Sequence, residues 1–380
     1  MVRFLHTSDW QLGMTRHYLD EAAQGQFSQA RLDAVTRMAE LADDRDCAFV
    51  VVAGDVFDTN QPDRKTIGRA LDALKSFTVP VYLLPGNHDA YDPGSVYRSP
   101  AFRDGCPSNV EVLTDREPRS PVDGVEVVGA PWSAKRPLVD LVSETCAVLE
   151  ADGTTTVLVG HGTMDVVTGD FGEPGSIQLT DVETALAEGR ASYVALGDRH
   201  SALPVGETGR IWYSGAPEPT SYREQGLGMA LVVDLDENSP GPPRVEEVEV
   251  GRWSYHEVVR QVDGGEDLDE LISGLDAIED KQRAIVKVKV DGALTLDQAA
   301  RLEEALEDKE VLFGALEHPE RHKDITVVPD EGELADLPLT GYAAVARDRL
   351  LEKAAGEGDE AKAATDALAL LVRLVGEAGR

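Results

Sequence analysis

Apolar and polar positions along the first 235 residues alternate between short strand-like runs and longer helical stretches. Val2 to Thr7 reads as a strand, and Ala22 to Ala42 as a helix with Phe27, Ala30, Ala34, Met38 and Leu41 near helical spacing. Cys47 to Ala53 is an almost unbroken apolar run, the pattern of a strand covered on both faces. Residues 64–75 look helical, and Val79 to Leu84 is the next strand. Further strands are expected at Val125 to Val128, Thr156 to Val159, Tyr193 to Leu196, Ile211 to Tyr213 and Met229 to Val233, with helices over 138–150 and 180–188. The late strands lack long helices between them, which predicts some antiparallel pairing. The pattern is that of a layered α/β protein, and two packed sheets fit it.

The stretch from Asp236 to Arg252, rich in Pro, Gly and Glu, reads as a domain boundary. Beyond it the pattern restarts: a strand at Val258 to Val262, a helix at Leu268 to Ile278, an alternating strand at Ala284 to Val290, a helix over 295–307 and a strand at Ile325 to Val328. Residues 341–380 suggest two helices broken at Gly356-Glu357-Gly358, the second with an apolar face at Leu368, Leu371, Leu374 and Val375. The expected organisation is a main α/β domain over 1–235, a smaller α/β domain over 253–335 and a helical tail over 341–380.

Composition narrows the function without deciding it. Seventy acidic residues against 36 basic ones give a formal net charge of -34, a field that repels nucleic acid and anionic membranes at long range. A nucleic-acid enzyme remains compatible with that charge, because bound divalent ions invert the local potential. No apolar leader follows Met1, and no window approaches eighteen apolar residues, so a soluble cytoplasmic protein without membrane contact is expected. Cys47, Cys106 and Cys146 are far apart and form no CxxC pair, which fits reduced thiols.

Five short polar motifs each follow a predicted strand: Ser8-Asp9-Trp10-Gln11, Gly54-Asp55, Gly86-Asn87-His88-Asp89, Gly160-His161-Gly162 and Gly197-Asp198-Arg199-His200. Ligands of α/β sheets gather beyond the carboxyl ends of strands, so these side chains are expected to converge. Their chemistry suits two divalent ions about 3.5–4 Å apart, holding both oxygens of an in-line phosphoryl displacement. Asp55, alone after the most apolar strand, is the candidate bridge. Oxygen and imidazole donors together suit Mn, Fe or Zn, and the absence of a thiolate from every motif argues against a structural zinc site. Asn87 can give its amide oxygen to a metal, leaving His88 to stabilise the transition state or protonate the leaving oxygen. Asp89 is expected to set the His88 tautomer.

Each of these residues has an ordinary alternative when taken alone. Asp9 and Asp55 would serve as strand-end turn caps, Asn87 and Asp89 would flank a turn after Pro85-Gly86, and His161 would be a loop histidine. Five such motifs in order, each after a strand, favour chemistry. His6, inside the first strand, reads as a core residue. Arg16 and His17 face either substrate or solvent, and Trp132 either walls a pocket or fills a core. Tyr213 and Ser214-Gly215 mark a backbone contact or a tight turn. Arg199 would touch phosphate or neutralise Asp198.

At these motifs the chain resembles the calcineurin-like metallophosphoesterases. The stretches that carry the resemblance are HTSDWQLG at 6–13, VVAGDVFD at 51–58, LPGNHD at 84–89, GHG at 160–162, LGDRH at 196–200 and YSGAPE at 213–218. The first and last favour the family's DNA-exonuclease branch, the SbcD-type and double-strand-break repair nucleases. The resemblance implies a metallophosphoesterase fold of two packed mixed sheets flanked by helices, followed by a capping domain. It also implies one metal held by Asp9, Gln11, Asp55 and His200, a second by Asp55, Asn87, His161 and Asp198, and His88 as catalytic histidine. Manganese, DNA ends, dimerisation through helices and a coiled-coil SbcC-type ATPase partner come with the same family. Two positions depart from its pattern. Gln11 stands where D-x-H is usual, and Asp198 where G-H-x-H is usual. Both replacements offer oxygen, which makes the site harder and tilts it toward Mn, less so Mg, over Zn.

The expected function is therefore a metal-dependent phosphodiester hydrolase, a DNA exonuclease or endonuclease of repair, with the second domain shaping the DNA cleft. There Lys281, Arg283, Lys287 and Lys289 form a basic run that would meet backbone phosphate, or else protect a solvated strand edge. Two rivals stand beside it: a phosphoesterase of small molecules, and a weakly catalytic metal-binding subunit that holds an ATPase through the apolar face at 368–375.

Overall fold

A computed structural model describes residues 1–168, 175–224, 226–236, 241–318, 323–327 and 341–354, with isolated positions between 356 and 371. The chain divides into two units, Met1–Tyr255 and His256–Arg380.

The first unit is built on two six-stranded mixed sheets. In the first sheet β1 (Val2–Thr7), β2 (Phe49–Val52), β3 (Val81–Leu83) and β4 (Val110–Val112) run parallel. β11 (Met229–Leu235) and β12 (Arg244–Glu249) join antiparallel beside β1. In the second, β6 (Val125–Gly129), β7 (Thr155–His161), β8 (Tyr193–Gly197) and β10 (Ile211–Ser214) are parallel. β5 (Arg119–Val122) and β9 (Ala202–Val205) form antiparallel edges. The expected antiparallel pairing of late strands is seen at β9 and β11.

Side-chain alternation explains the layering. Phe49 and Val51 of β2 turn inward with Phe4 onto Val127, Val157, Val159 and Tyr193 of the opposite sheet. Val50 and Val52 turn outward with Leu5, onto α1 (Glu21–Asp44) and α2 (Arg64–Leu74) through Val35, Met38, Ile67 and Leu71. A strand buried on both faces must be apolar at every position, hence the unbroken run. On the far side Leu158, Val194 and Leu196 pack under α4 (Leu141–Val148) and α6 (Leu179–Ala187). Two single-turn helices, α3 (Pro100–Arg103) and α5 (Asp165–Thr168), follow β3 and β7. The result is helix, sheet, sheet, helix. Between the sheets His6 is fully buried, its Nδ1 3.1 Å from the Tyr193 hydroxyl and its Nε2 3.2 Å from the Leu196 carbonyl. Burial pushes this imidazole down to about 3, so it stays neutral in the core.

The stretch 236–252 is more than a linker. Its residues 244–249 form β12, paired along β11 from Met229↔Glu249 to Asp234↔Arg244. A strand dominated by charge, as in Arg244-Val-Glu-Glu-Val-Glu249, carries little hydrophobic signal, because an edge strand half in solvent needs little.

The second unit has its own sheet. β14 (Ala284–Leu294) lies between β13 (Ser254–Val262) and the shorter β15 (Ala315–Glu317) and β16 (Lys323–Val327). α7 (Gly265–Asp276) and α8 (Leu296–Glu310) cover it, and Leu268, Leu271, Leu275, Val286, Val288, Val290, Leu302 and Leu306 make its core. Thr295 and Gln298 close a reciprocal capping box at the start of α8. Because β14 is central, Lys287 and Lys289 are not guards of a strand edge. Each faces an acid on a neighbouring strand, Glu317 at 3.8 Å and Glu257 at 2.5 Å. Arg283 pairs with Asp280, and Lys281 donates to the Asp276 and Ile278 carbonyls. The basic run is thus largely engaged within its own unit. In the tail, α9 (Tyr342–Ala354) carries Leu350, Leu351 and Ala354, on which buried Leu368 packs. Leu374 and Val375, expected on the same apolar face, lie outside the described residues. Among the described residues no helix is long and apolar enough to cross a membrane.

Candidate metal centre

The five motifs meet at one place. Asp9, Asp55 and Asn87-His88 follow β1, β2 and β3 of the first sheet, while His161 ends β7 and Asp198 and His200 follow β8 of the second. All leave the carboxyl ends of parallel strands, so two stacked sheets direct their polar turns to a common rim.

Tight turns bring the ligands into position. Among the described residues six non-glycine positions have positive φ, and four of them are Asp9, Gln11, Asp55 and Asp198. Such strain persists only where the surroundings impose it, and it collects at functional sites. Here it is held by backbone bonds: Asp9 N–H to the Gly54 carbonyl at 3.0 Å and Gln11 N–H to the Asp55 carbonyl at 2.9 Å. Crowding requires glycine at several of these turns, Gly54 and Gly86 among them. A Cβ on Gly54 would lie 2.2 Å from His161 Nδ1, and one on Gly86 2.2 Å from Asp55 Oδ1.

One half of the centre gathers His161, Asn87 and Asp198. His161 donates from Nδ1 to the Ala53 carbonyl at 2.8 Å, which leaves Nε2 as the outward atom. That Nε2 lies 2.8 Å from Asn87 Oδ1, 3.5 Å from Asp55 Oδ1 and 3.7 Å from Asp198 Oδ1. Thr163 donates to Asp198 Oδ2 and fixes its carboxylate. The other half gathers Asp9, Gln11 and His200, with His200 Nε2 3.1 Å from Gln11 Nε2 and 3.8 Å from Asp9 Oδ1. Ser8 donates to Asp9 Oδ2 at 2.6 Å and its hydroxyl meets that of Ser214 at 2.8 Å. Asp9, Asp55 and His161 join the halves, each offering a ligand atom within 4.8 Å of the others.

The electrostatics are those of a site short of positive charge. Burial pushes Asp55 up to about 7, helped by Asp89 and Asp9 and opposed by His161. Burial acts against a charged His161, yet Asp55, Asp9 and Asp198 outweigh it and push the imidazole up to about 9. Ionised carboxylates buried this close are stabilised by a neighbouring cation. Gln11 Oε1 is buried with no hydrogen-bond partner, an orphaned acceptor on a side chain whose amide nitrogen faces His200. The oxygen-rich donor set and this acceptor fit a pair of divalent ions. Gln11, Asp9, Asp55 and His200 would hold one, and Asp55, Asn87, His161 and Asp198 the other.

Residues 2–202, just over half of the chain, match the calcineurin-like phosphoesterase family. The chain belongs to the calcineurin-like phosphoesterases. The SbcD component of the SbcCD nuclease of Escherichia coli K12 is 26% identical over 256 residues, covering 59% of this chain and 62% of that protein. The DNA double-strand break repair protein Mre11 of Saccharolobus solfataricus is 25% identical over 251 residues, 63% of this chain and 62% of that one. Mre11 of Methanococcus maripaludis is 32% identical over 91 residues, 23% of each chain. The chain thus spans less than two thirds of the length of these relatives. Among solved structures, a dimetal phosphatase of Danio rerio aligns over 64% of this chain and 98% of that one, at 12% identity and a TM-score of 0.40.

For this calcineurin-like phosphoesterase the structure redraws several side-chain roles. Asp89 does not touch the His88 ring. Its buried carboxylate accepts from Gly86 N–H at 2.8 Å, Phe57 N–H at 3.1 Å and the Tyr97 hydroxyl at 2.6 Å, so it ties the Gly86 turn to the core. His88 is oriented instead by the Asp58 carbonyl, 2.7 Å from Nδ1, with Nε2 turned toward Asp55 Oδ2 at 4.0 Å. Trp132 donates to the His161 carbonyl at 2.7 Å and stands edge-on to the imidazole, making it a support of the centre. The Tyr213 hydroxyl donates to the Gly162 carbonyl at 2.9 Å and accepts from Met164 N–H, holding the same loop from below. Arg16 donates to the Thr220 carbonyl, while Arg199 is exposed and makes no ion pair with Asp198. Thr220 and Glu224, which contact His200 Nδ1 at 2.5 and 3.2 Å, carried no sequence signal. They sit in a loop without periodicity, and only the fold returns them to a motif twenty residues earlier.

Proposed function

We propose that the chain is a metal-dependent phosphodiester hydrolase acting on DNA. The observation that carries the reading is the convergence of seven oxygen and imidazole donors at the ends of two sheets, with Gln11 Oε1 left without a partner. A bound pair of divalent ions would activate water and offset charge on the phosphoryl oxygens. The chain's own residues supply the rest. Asp55 would bridge, since its carboxylate lies between Asp9 and His161, with Oδ1 3.5 Å from His161 Nε2. His88, half-buried and held through Nδ1 by the Asp58 carbonyl, has an Nε2 that would carry a proton to the departing oxygen. The oxygen-rich donors favour manganese, with magnesium, iron or zinc as alternatives. DNA as substrate is supported by relatives named as a nuclease subunit and as double-strand break repair proteins. A coiled-coil ATPase partner and a cytoplasmic setting belong to the same proposal, from the motifs' resemblance to SbcD-type nucleases. Residues 253–335 would act as a capping domain, and the tail 341–380 as the segment that docks the partner. A homodimer is compatible with this reading.

The net charge of -34 favours one rival, a small phosphodiester metabolite as substrate. Purified full-length protein, given single- and double-stranded DNA and a small chromogenic phosphodiester with Mn, Mg or Zn, separates the two. DNA cleavage with Mn, lost in Asp55→Ala, is the expected result. Turnover of the small diester with DNA left intact would overturn the nuclease reading, and full activity in Asp55→Ala would overturn the site.

A further inference from the structure

We propose that Glu224, acting with Thr220, is the positioning residue of His200: it fixes the proton on Nδ1 so that Nε2 is presented to a cation. The inference rests on the metal-centre reading above and adds a residue to it. His200 is the one imidazole in its half of the centre, because Gln11 stands where a second would be expected. That half therefore depends on a single ring being held in one tautomer and one orientation.

The hydrogen bonds around the ring leave one consistent assignment of protons. Thr220 Oγ1 lies 2.5 Å from His200 Nδ1, and its own hydroxyl proton goes to Glu224 Oε1 at 2.6 Å. Glu224 Oε1 also lies 3.2 Å from Nδ1 and accepts from the Ser221 hydroxyl at 3.1 Å. Its other oxygen accepts from Thr220 N–H at 2.7 Å. With its proton given to Glu224, Thr220 Oγ1 can only accept from the ring, so Nδ1 carries hydrogen. The Gln11 amide nitrogen, which can only donate, lies 3.1 Å from Nε2, so Nε2 holds a lone pair. A cation would replace that amide hydrogen, and the Gln11 side chain would turn its unpartnered Oε1 inward. A carboxylate behind a ligating imidazole orients the ring and raises its basicity. The loop that carries Glu224 is itself braced: fully buried Arg31 donates from Nη1 to the Trp10 carbonyl at 3.2 Å and from Nη2 to the Pro219 carbonyl at 2.9 Å. One guanidinium thus ties the Asp9–Gln11 turn to the segment that orients His200.

The test is calorimetric titration of the full-length, metal-stripped protein with Mn2+ alone, beside nitrogen-15 shifts of the His200 ring. Wild type should bind two ions, and its metal-free His200 should show Nδ1–H with an unprotonated Nε2. Glu224→Ala should lose about 10- to 100-fold in affinity at one of the two sites and leave the other unchanged. Glu224→Gln, which keeps an acceptor for Nδ1–H, should recover part of the loss. Unchanged affinity at both sites in a folded Glu224→Ala, or His200 protonated on Nε2 in the wild type, would overturn the clamp while the metal centre stands. Should Glu224→Ala fail to fold, the wild-type ring shifts and the titration of Thr220→Val decide in its place. Wild type that binds no Mn2+ would instead remove the metal-centre reading beneath it.

Discussion

Replacing Gly86 by alanine is the sharpest test of how the centre is packed. The backbone at Gly86 is not in the left-handed region, so an alanine there meets no positive-φ strain, and the effect is chiefly one of space. The new Cβ would stand 2.2 Å from Asp55 Oδ1, 2.7 Å from Asp55 N and 3.0 Å from Asp55 Cγ. The first of these is at least about 1 Å short of an ordinary non-bonded contact. Asp55 has nowhere to retreat. It is buried, its Oδ1 accepts from His88 N–H at 2.9 Å, and its carbonyl holds Gln11 N–H at 2.9 Å. Either Asp55 leaves its rotamer or the turn moves and takes Asn87 and His88 with it. Overpacking of this kind costs about 1–3 kcal/mol of stability. Since Asp55 is proposed to serve both cation positions, Mn2+ affinity should fall at least about 100-fold, beyond the loss typical of an outer support. Urea unfolding in a chelator reads the first quantity and calorimetric titration the second. Gly68→Ala is the control. Its added methyl in α2 has nothing within 4 Å, so it should gain up to about 1 kcal/mol and bind Mn2+ as wild type does. If Gly86→Ala bound two ions with unchanged affinity, the crowding that defines the site would be wrong.

Two further predictions concern the scaffold. His6 is held down to about 3 by burial, while an unfolded histidine titrates near about 6.5, so below that value the unfolded chain takes up a proton that the folded one refuses. Its contribution is complete above pH 6.5 and is lost as pH falls toward 3, roughly 2 kcal/mol of it between pH 7 and 5. His6→Gln should flatten the pH dependence of urea unfolding by that amount, and an identical slope in the variant would refute the assignment. Arg31→Met keeps the length of the side chain but strands the Trp10 and Pro219 carbonyls, and should cost about 2–4 kcal/mol by the same assay. Stability equal to wild type would show that water satisfies those carbonyls unaided.

The candidate ligand residues were legible because each is local to a strand end. An apolar run such as Phe49 to Val52 announces a strand, the glycine after it permits close approach, and the polar residue that follows must sit at the rim. Asp55, Asn87, His161 and Asp198 obey that rule, Asp9 follows its strand through Ser8, and Gln11 and His200 each lie two residues past an aspartate of the rim. The layers were legible for the same reason, since strand periodicity and unbroken apolar runs are properties of neighbouring residues. Tertiary structure decided what the side chains lean on. The Asp58 carbonyl, not Asp89, orients His88, and Thr220 and Glu224 orient His200 from a loop with no pattern. The polar edge strand β12 and the pairing of Lys287 and Lys289 with acids on adjoining strands were equally hidden. A hydrogen bond between distant segments leaves no trace in local periodicity. Its partners become neighbours only when hydrophobic burial has stacked the two sheets, and the same stacking turns separate motifs into one centre.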